Sequence, residues 1–407
     1  MGLIGSSASC TVLCLLATKT YDVSMTPEQN EISAPICTVD EREQVLFASY
    51  AMFSRQSKGR KHPQPEHAYR GPFQRDRDRV IHSAAFRRLS GKMQVFTGDF
   101  GDYHRTRLTH THEVSCLART LGRSLRLNED LVEALALFHD IGHPPFGHAG
   151  EDALNEVLHD YGGFSHNRFA LTIAEDLEQR YAEFPGLNLT YELLEGQQTR
   201  AEKAALFAAT GGCGPLLEVQ VVEAADSMTY DAHDSDDAVK LGLVTLEELE
   251  QNTLVREAVA SARRRFANCK GDLLRKAVVH ELIERQVSEV LSVSGKRLAE
   301  CRGLTSDDVR RLDFRVGVGP ELAELKRELE RFLYTRVYRH PKLIEMRTEA
   351  QSRLQQAFQG YLQRPELLPP HHFKRVERVG LPRAVGDYLA GMTDRFFEAI
   401  FLQHFNA

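Results

Sequence analysis

The stretch LALFHDIGHPPFGHAGEDALNEVLHDYGGFSHN, residues 135–167, decides how this chain folds and where its chemistry lies. It contains five histidines and several carboxylates, set among glycines and prolines that end helices. Imidazole titrates near neutral pH and is a frequent metal ligand. The stretch therefore predicts helix ends that carry metal-binding or proton-transferring groups.

The composition is that of a globular protein with a large core. The chain has 407 residues, 42% hydrophobic and 27% charged, and a net charge of −6. This length allows two or three domains or one large helical enzyme. The charge argues against a generally basic nucleic-acid binder, although it does not exclude a local basic pocket.

The cysteine content and the hydropathy of the chain indicate in which cellular compartment the protein is expected. The seven cysteines form no CxxC pair, which is typical of reduced thiols and predicts a cytoplasmic protein. No apolar run reaches the length of a membrane span, so we expect no membrane partner.

Residues 1–45 are expected to be an extension that is disordered or results from a wrongly chosen start codon. CTVLCLLA, residues 10–17, resembles a signal-peptide core, but no positive charge precedes it and no convincing cleavage site follows. MGLIGS fits the loose myristoylation pattern at Gly2 and Ser6. Against both, Met25 opens MTPEQNE, which reads as a soluble start.

Helical periodicity dominates after this extension and predicts an all-α fold. Apolar residues recur at three-and-four spacing in residues 113–125 and 128–142, and the second segment opens with the start signal Asn-Glu-Asp. The same spacing recurs in residues 169–181, 216–239, 274–293, 321–338 and 384–405. DFRVGVG, residues 313–319, is a weak strand candidate.

These patterns also predict the domain organisation. We expect a catalytic helical domain over residues 46–361. A connector at residues 362–372 would then lead to a C-terminal helical segment, 362–407, packed on the same domain.

Four side chains far apart in the sequence could share one metal ion. His139 and Asp140 are adjacent near the end of a predicted helix, His110 lies near the start of an earlier one, and Asp226 lies on a later one. Two imidazoles and two carboxylates suit Mn²⁺, Fe²⁺ or Zn²⁺, and Mg²⁺ less well. Such an ion can activate water and polarise a phosphoryl oxygen.

A further pair follows the prolines. His148 and Glu151 are three residues apart, so they face the same side if the chain turns helical after Pro145. An imidazole in this position can accept or donate a proton around neutrality. By contrast, His112 and His159 are interpreted as a packing residue beside His110 and a solvent-exposed residue.

These motifs occur together and in the order of a known family. The set His110, His139-Asp140 and Asp226 resembles the HD-domain metal phosphohydrolases. More closely, the chain resembles the deoxynucleoside triphosphate triphosphohydrolases, the dGTPase-like family. The matching pieces run from about residue 70 to 396 and are FQRDRDRVIHSAAFRRLSGKMQVF, RTRLTHTHEV, HDIGHPPFGHAGEDAL, GGFSHN, GLNLTYELLEG, EAADSMTYDAHD and DYLAGMTDRF.

The resemblance implies an HD-domain helical bundle that hydrolyses deoxynucleoside triphosphates to a deoxynucleoside and inorganic triphosphate. It implies a divalent metal ion, with Mn²⁺ or Mg²⁺ expected first and Fe²⁺ or Zn²⁺ as alternatives. Glu151 would orient His148 and support its charge near the α-phosphate. His143 and His166 would contact phosphate or assist protonation of the leaving O5′.

The resemblance also implies substrate contacts. Arg107, one helical turn before the first metal-binding histidine, could give bidentate contacts to phosphate. Gln94 would read the deoxyribose 3′-hydroxyl. Tyr230 and Asp234 follow Asp226 at every fourth residue, so they share its helical face and would close on the sugar. Tyr230 near C2′ would disfavour a ribonucleotide, unless it is an ordinary core residue.

Some positions stay open or depart from the family. The arginine-rich run at residues 74–79, with Arg87 and Arg88, is either a salt-bridged face or a phosphate-facing one. Phe169 stands where family members often carry glutamine, and LLEGQQTR, residues 193–200, lacks the Lys-His usual after the glycine. These departures concern base preference and local support rather than the reaction class.

Two other functions remain alternatives. The first is another HD-domain phosphohydrolase acting on nucleoside monophosphates or on cyclic or alarmone nucleotides. The second is a non-catalytic nucleotide-responsive protein with weak single-stranded nucleic-acid binding through its arginine-rich segment. The resemblance further implies a homo-oligomer.

Overall fold

Helices joined by turns make up the described part of the chain. The computed structural model describes residues 37–67, 69–94, 105–209, 212–266 and 268–405, without the side chains of residues 203–209. Its α-helices are α1 (Val39–Leu46), α2 (Pro72–Ile81), α3 (Ala84–Arg88), α4 (Arg107–Ser124), α5 (Glu129–Phe138), α6 (Gly147–Val157), α7 (His166–Thr172), α8 (Tyr191–Ala209), α9 (Leu217–Lys240), α10 (Leu246–Leu249), α11 (Thr253–Arg265), α12 (Gly271–Ala299), α13 (Ser306–Arg310), α14 (Pro320–Phe332), α15 (Pro341–Gln363), α16 (Pro370–Val379), α17 (Leu381–Ala390) and α18 (Asp394–His404). The π-helical turns Ile173–Leu177 and Leu333–Tyr338 extend α7 and α14.

The all-α prediction is confirmed, and the strand predicted at residues 313–319 is wrong. The described residues contain isolated bridges but no strand. Phe314 and Val316 are buried from a loop, which explains the alternating pattern. The backbone N–H of Val316 donates to Gln220 Oε1 at 2.9 Å rather than to a neighbouring strand.

Two predicted segments, the N-terminal extension and the connector before the last helices, differ in length from those in the structure. Residues 39–45 belong to α1, which starts with a capping box between Thr38 and Glu41, so the predicted extension is too long at its C-terminal end. Residues 1–36 lie outside the described part. Near the other end, α15 continues to Gln363 and α16 starts at Pro370, so the connector is shorter than predicted.

Two apolar clusters form the core. The larger one includes the fully buried Leu121, Phe138 and Phe358, from α4, α5 and α15. The smaller one joins α11, α12 and α14, and it includes Leu254 and Leu282. Fully burying a side chain of this size contributes about 1.5–3 kcal/mol, so the helices that carry the chemistry are fixed by apolar packing. No helix in the described ranges is long and apolar enough to cross a membrane.

The packing of α4 determines where the chemistry lies. This helix packs on both α5 and α9, which also pack on each other. Asn128 begins α5, because its side chain accepts the Leu131 N–H at 3.2 Å. The start of α4, the end of α5 and the middle of α9 therefore meet.

The turn after α5 lies very close to α7. A Cβ added to Gly142 would lie 2.0 Å from the backbone oxygen of His166 and 2.5 Å from the backbone nitrogen of Ala170. Both neighbours are backbone atoms of α7, so a side chain at residue 142 would force the turn and the helix apart. The chain then reverses through Phe146, whose φ is 62°, and enters α6.

We predict that Gly142→Ala lowers the free energy of unfolding by about 1–3 kcal/mol, the usual cost of overpacking. The matched control is Gly295→Ala inside α12, where an added Cβ meets nothing within 4 Å. That substitution should raise stability by about 0.5–1 kcal/mol, because alanine is the better helix former. Urea denaturation measures both, and equal stabilities of Gly142→Ala and the unsubstituted protein would contradict the packing described here.

Candidate metal centre and active site

His139 is the most deeply buried of the predicted metal ligands. It caps the end of α5, and its Nδ1 is 2.5 Å from the backbone oxygen of Ala136. Burial lowers the pKa of His139 and favours the neutral ring, and in a neutral ring whose Nδ1–H donates, the lone pair is on Nε2. Nε2 is buried and makes no hydrogen bond with any described residue, and it lies 3.3 Å from Asp140 Oδ1. A buried nitrogen without a partner is costly, and a metal ion would supply that partner.

His110 and Asp226 bring α4 and α9 to the same point. The Oδ1 atom of Asp226 lies 3.2 Å from His110 Nε2 and 3.8 Å from His139 Nε2. The side-chain amide of Gln94 lies 2.9 Å from His110 Nδ1. If the amide is turned so that its oxygen faces the ring, that oxygen accepts a hydrogen bond from Nδ1–H, and Nε2 is left as the metal ligand.

Asp140 completes the group of four. His110, His139 and Asp140 each offer a ligand atom, and these atoms lie within 4.8 Å of one another. Asp226 approaches the two imidazoles at the distances given above. The structure therefore brings all four predicted ligands together, and a nitrogen–oxygen donor set beside an unpartnered imidazole nitrogen fits a divalent ion.

The charges around the two carboxylates keep both ionised. Burial opposes the negative charge of Asp140, but His139, His143 and Arg107 outweigh it and hold its pKa well below the ordinary value. Burial also opposes the charge of Asp226, where Arg200, followed by the histidines, lowers the pKa. Ionised carboxylates are the form that binds a metal ion.

Arg107 occupies a different place from the one predicted. Its guanidinium donates to Asp140 Oδ2 at 2.9 Å and to the backbone oxygen of Gln94 at 3.0 Å, and it is buried. Arg107 thus supports Asp140, one of the four candidate metal ligands, and the expected phosphate contact has no geometric support here.

Glu151 is shared by two histidines at the start of α6 and α7. Its Oε2 lies 3.2 Å from Nδ1 of His148, and its Oε1 lies 2.8 Å from Nδ1 of His166. Burial opposes its charge, but the hydrogen bonds with His148 and then His166 lower its pKa. The His148 side chain is 59% exposed, so its opposite nitrogen, Nε2, is accessible to a substrate.

His143 connects this histidine cluster with the metal ligands. Its Nε2 lies 3.2 Å from Asp140 Oδ1, and its ring stacks on His166 at 3.8 Å. Burial, Arg107 and His166 hold the pKa of His143 well below its ordinary value, which favours a neutral ring. His143 is therefore packed between Asp140 and His166.

Tyr230 and Asp234 lie on α9 beyond Asp226, as the spacing predicted. Asp234 is buried and accepts a hydrogen bond from Tyr338, whose ring centre is 6.1 Å from that of Tyr230. Burial raises the pKa of Asp234 to about 7. Sequence reasoning missed Tyr338, because nothing in its π-helical turn indicates contact with α9.

Arg200 is the second residue that sequence reasoning missed. Its guanidinium lies 2.6 Å from Asp226 Oδ2. It lines a cavity of about 420 Å³ beside the metal ligands, together with Asn167 and Tyr230. The sequence did contain a sign of it. The segment LLEGQQTR, residues 193–200, departs from the family pattern, and its last residue is this arginine.

Residues near the C-terminus anchor the site. Asp394, the first residue of α18, accepts the backbone N–H groups of Met93 at 2.9 Å and Phe146 at 3.0 Å. Lys92 donates to the backbone oxygens of His143 at 2.5 Å and Ala390 at 3.0 Å. Both loops that carry site residues are thus tied to the last two helices.

The arginine-rich run at residues 74–79 and the two histidines that were not assigned to the site can also be compared with the predictions. Arg75 and Arg79 donate to Gln64 and to backbone oxygens, and Arg77 pairs with Glu133, which favours the salt-bridged interpretation of the run. The predicted surface residue His159 is 86% exposed. His112 is exposed with its ring 6.0 Å from Phe86, rather than packed beside His110.

The comparisons with known proteins agree with this geometry. Residues 107–231 match the HD domain, and residues 316–403 match the phosphohydrolase-associated domain. HD domains bind divalent metal ions, and the His–Asp group described above could hold one. The helical fold and this site therefore define an HD-domain phosphohydrolase.

Several similar proteins narrow the family further. The deoxyguanosinetriphosphate triphosphohydrolase-like protein of Thiobacillus denitrificans is 43% identical over 363 residues, 86% of this chain and 95% of that protein. The proteins of the same name from Bordetella pertussis and Geobacter metallireducens are 41% and 39% identical, covering 86% and 87% of this chain and 94% of each relative. The chain belongs to this deoxyguanosinetriphosphate triphosphohydrolase-like family, as the order of its motifs predicted.

We predict that His139→Ala and Asp226→Asn each weaken Mn²⁺ binding by about 100-fold or more, since losing even an outer hydrogen-bond partner of a ligand costs about 10–100-fold. Isothermal titration calorimetry measures the affinity, and His159→Ala is the exposed control that should leave it unchanged.

A second candidate group, Asp140, His143 and His166, could also hold an ion. His166→Ala therefore discriminates between the two groups. Mn²⁺ binding that survives His139→Ala but is lost in His166→Ala would contradict the assignment.

Proposed function

We propose that this protein hydrolyses deoxynucleoside triphosphates to a deoxynucleoside and inorganic triphosphate. The observation that carries the proposal is the convergence of His110, His139, Asp140 and Asp226 beside a histidine–glutamate cluster and an open cavity. The names of the similar proteins, deoxyguanosinetriphosphate triphosphohydrolase-like, support the same substrate class.

The reaction requires attack of water on the α-phosphorus and departure of O5′. A bound Mn²⁺ or Mg²⁺ would polarise a phosphoryl oxygen and lower the pKa of a coordinated water. Nitrogen ligands favour Mn²⁺ over Mg²⁺ at this site. Asp140, Asp226, His110 and His139 would hold the ion, and the two carboxylates would offset its charge.

Proton transfer falls to His148. Glu151 Oε2 accepts a hydrogen bond from Nδ1–H of His148 at 3.2 Å, which fixes the ring and directs Nε2 away from the carboxylate. In its protonated form, His148 would donate from Nε2 to O5′ as the Pα–O5′ bond breaks, and the nearby carboxylate stabilises that form. His166 shares Glu151 at 2.8 Å and holds its second oxygen in place. His143 would position Asp140.

The cavity beside Asp226 would hold the nucleotide. Its volume of about 420 Å³ lies in the range of small-molecule sites. Arg200 would neutralise phosphate oxygens there, because a guanidinium binds phosphate in a bidentate manner. Tyr230 lines the same cavity and would lie against the sugar. Asp234, which accepts a hydrogen bond from Tyr338, would contact the sugar hydroxyl. Gln94 remains a candidate for binding the 3′-hydroxyl, because it lies beside His110.

The assembly and surroundings of the enzyme are part of the proposal. Leu402 on α18 is 60% exposed, and an exposed apolar side chain on the last helix is consistent with a homo-oligomer. A cytoplasmic location fits nucleotide substrates. The internal pairing of Arg75, Arg77 and Arg79 gives no support to nucleic-acid binding through that run.

Product analysis tests the reaction. Purified protein with Mn²⁺ should release inorganic triphosphate from at least one of the common deoxynucleoside triphosphates, measured by ion-exchange chromatography. Glu151→Gln should lower kcat by about 100-fold or more, the usual contribution of general acid–base catalysis, while Mn²⁺ binding is retained. His159→Gln is the matched histidine control and should keep full activity.

Release of pyrophosphate and a nucleoside monophosphate would place cleavage at another phosphorus and reject the proposal. So would the absence of turnover by Mn²⁺-loaded protein on every deoxynucleoside triphosphate tested. Hydrolysis of only monophosphate, cyclic or alarmone nucleotides would assign the chain to a different HD-domain reaction.

A further inference from the structure

A cavity outside the metal centre contains an arginine with no ion pair. The cavity has a volume of about 630 Å³ and lies between α3, α7 with its π-helical extension, and helices α16 to α18. None of the predicted metal, catalytic or substrate-binding residues lines it. It is larger than the cavity beside Asp226, and the proposed reaction does not use it.

Arg88 supplies the positive charge of this cavity. Its Nε is buried without a hydrogen-bond partner, and it forms no ion pair with a carboxylate in the described ranges. Its neighbour Arg87, by contrast, is exposed and donates to the backbone oxygen of His82 at 2.9 Å. Glu178 lines the same cavity and its charge acts favourably on Arg88 without forming an ion pair. A half-buried guanidinium that is not ion-paired can bind an anionic ligand.

The other charged groups around the cavity are already engaged. Glu178 accepts the backbone N–H of Ala84 at 2.6 Å, at the start of α3. Asp387 pairs with Arg375. Burial, followed by the positive charges of its neighbours, lowers the pKa of His372 to about 3, so His372 is neutral. Among the described residues that line this cavity, which also include His371, Arg88 is therefore the arginine that forms no ion pair.

The remaining walls suit a flat ring. Tyr388 packs against His372 with ring centres 4.9 Å apart and ring planes inclined by 52°, and both line the cavity together with Phe396. The Phe396 side chain is 47% exposed, so its face is available. His372 Nδ1 is buried and unpartnered, which adds a polar group that a ring edge could satisfy. Aromatic side chains bind nucleobases by stacking, at about 1–3 kcal/mol per base.

We propose that this cavity is a second ligand site that binds a nucleoside monophosphate, with its phosphate on Arg88 and its base against Tyr388 and Phe396. One guanidinium without an ion pair matches one phosphate group. A triphosphate would bring further negative charge toward Glu178 and Asp387, both of which line the cavity. The volume lies within the range of about 300–1,000 Å³ that small-molecule sites occupy.

Calorimetric titration of the full-length protein tests the site. The probes are AMP, GMP, CMP, UMP and their deoxy counterparts, with adenosine and inorganic phosphate as partial ligands. At least one monophosphate should bind saturably, with one site per chain, and more tightly than either partial ligand. Arg88→Gln and Phe396→Ala should each weaken this binding at least about tenfold, as loss of a charge-assisted or stacking contact implies.

Two variants serve as controls. Arg87→Gln removes the same charge one residue away and should leave the affinity unchanged. Asp226→Asn changes the metal centre and should also leave it unchanged. Circular dichroism of each variant checks that the helices are intact, and Phe396→Ala tests the site independently if Arg88→Gln fails to fold.

The proposal is overturned if no monophosphate binds saturably. It is also overturned if binding survives both Arg88→Gln and Phe396→Ala but is lost in Asp226→Asn, because the ligand would then occupy the metal centre. The titration measures binding without turnover, so its failure leaves the proposed hydrolysis intact.

Discussion

The site depends on a buried imidazole nitrogen that the protein itself does not satisfy. His139 donates from Nδ1 to the backbone of its own helix, so Nε2 presents a lone pair in the interior without a hydrogen-bond partner among the described residues. The apolar packing of α4 on α5 and α9 holds the other three donors around it. Folding free energy thus maintains an arrangement that is costly until an ion binds, because the unpaired group is desolvated.

The C-terminal region contributes to the site through backbone contacts. Asp394 and Lys92 tie the segments before Gln94 and around His143 to α17 and α18. These contacts connect the segment that matches the phosphohydrolase-associated domain with the segment that matches the HD domain. The ligands come from the HD domain, while residues about 250–300 positions later in the sequence hold the loops in place.

The sequence predicted the helical class and the four residues that meet at the candidate metal centre, because helical periodicity and an ordered motif set are local signals. It did not predict that Arg107 would pair with Asp140. Spacing places a residue on a helix face but does not identify the partner across the interface. Arg200 and Tyr338 were missed for the same reason, since each meets α9 from a distant segment.

Other differences have equally local causes. The alternating residues near Val316 resembled a strand, because a loop buried on one side gives the same pattern. The polar composition of α1 resembled a tail, whereas its capping box and the buried Glu43 tie it to the fold. Glu151 was expected to orient His148. The contact of His166 with the same carboxylate, and the stacking of His143 on His166, have no counterpart in sequence spacing.

The central claim is that four side chains bind one divalent ion, and anomalous X-ray diffraction from Mn²⁺-soaked crystals tests it most directly. We expect one strong peak at about 2.0–2.3 Å from the His110 and His139 nitrogens and from oxygens of Asp140 and Asp226, the usual length of such bonds. A peak between Asp140, His143 and His166 instead, or no peak near His139 Nε2, would contradict the account.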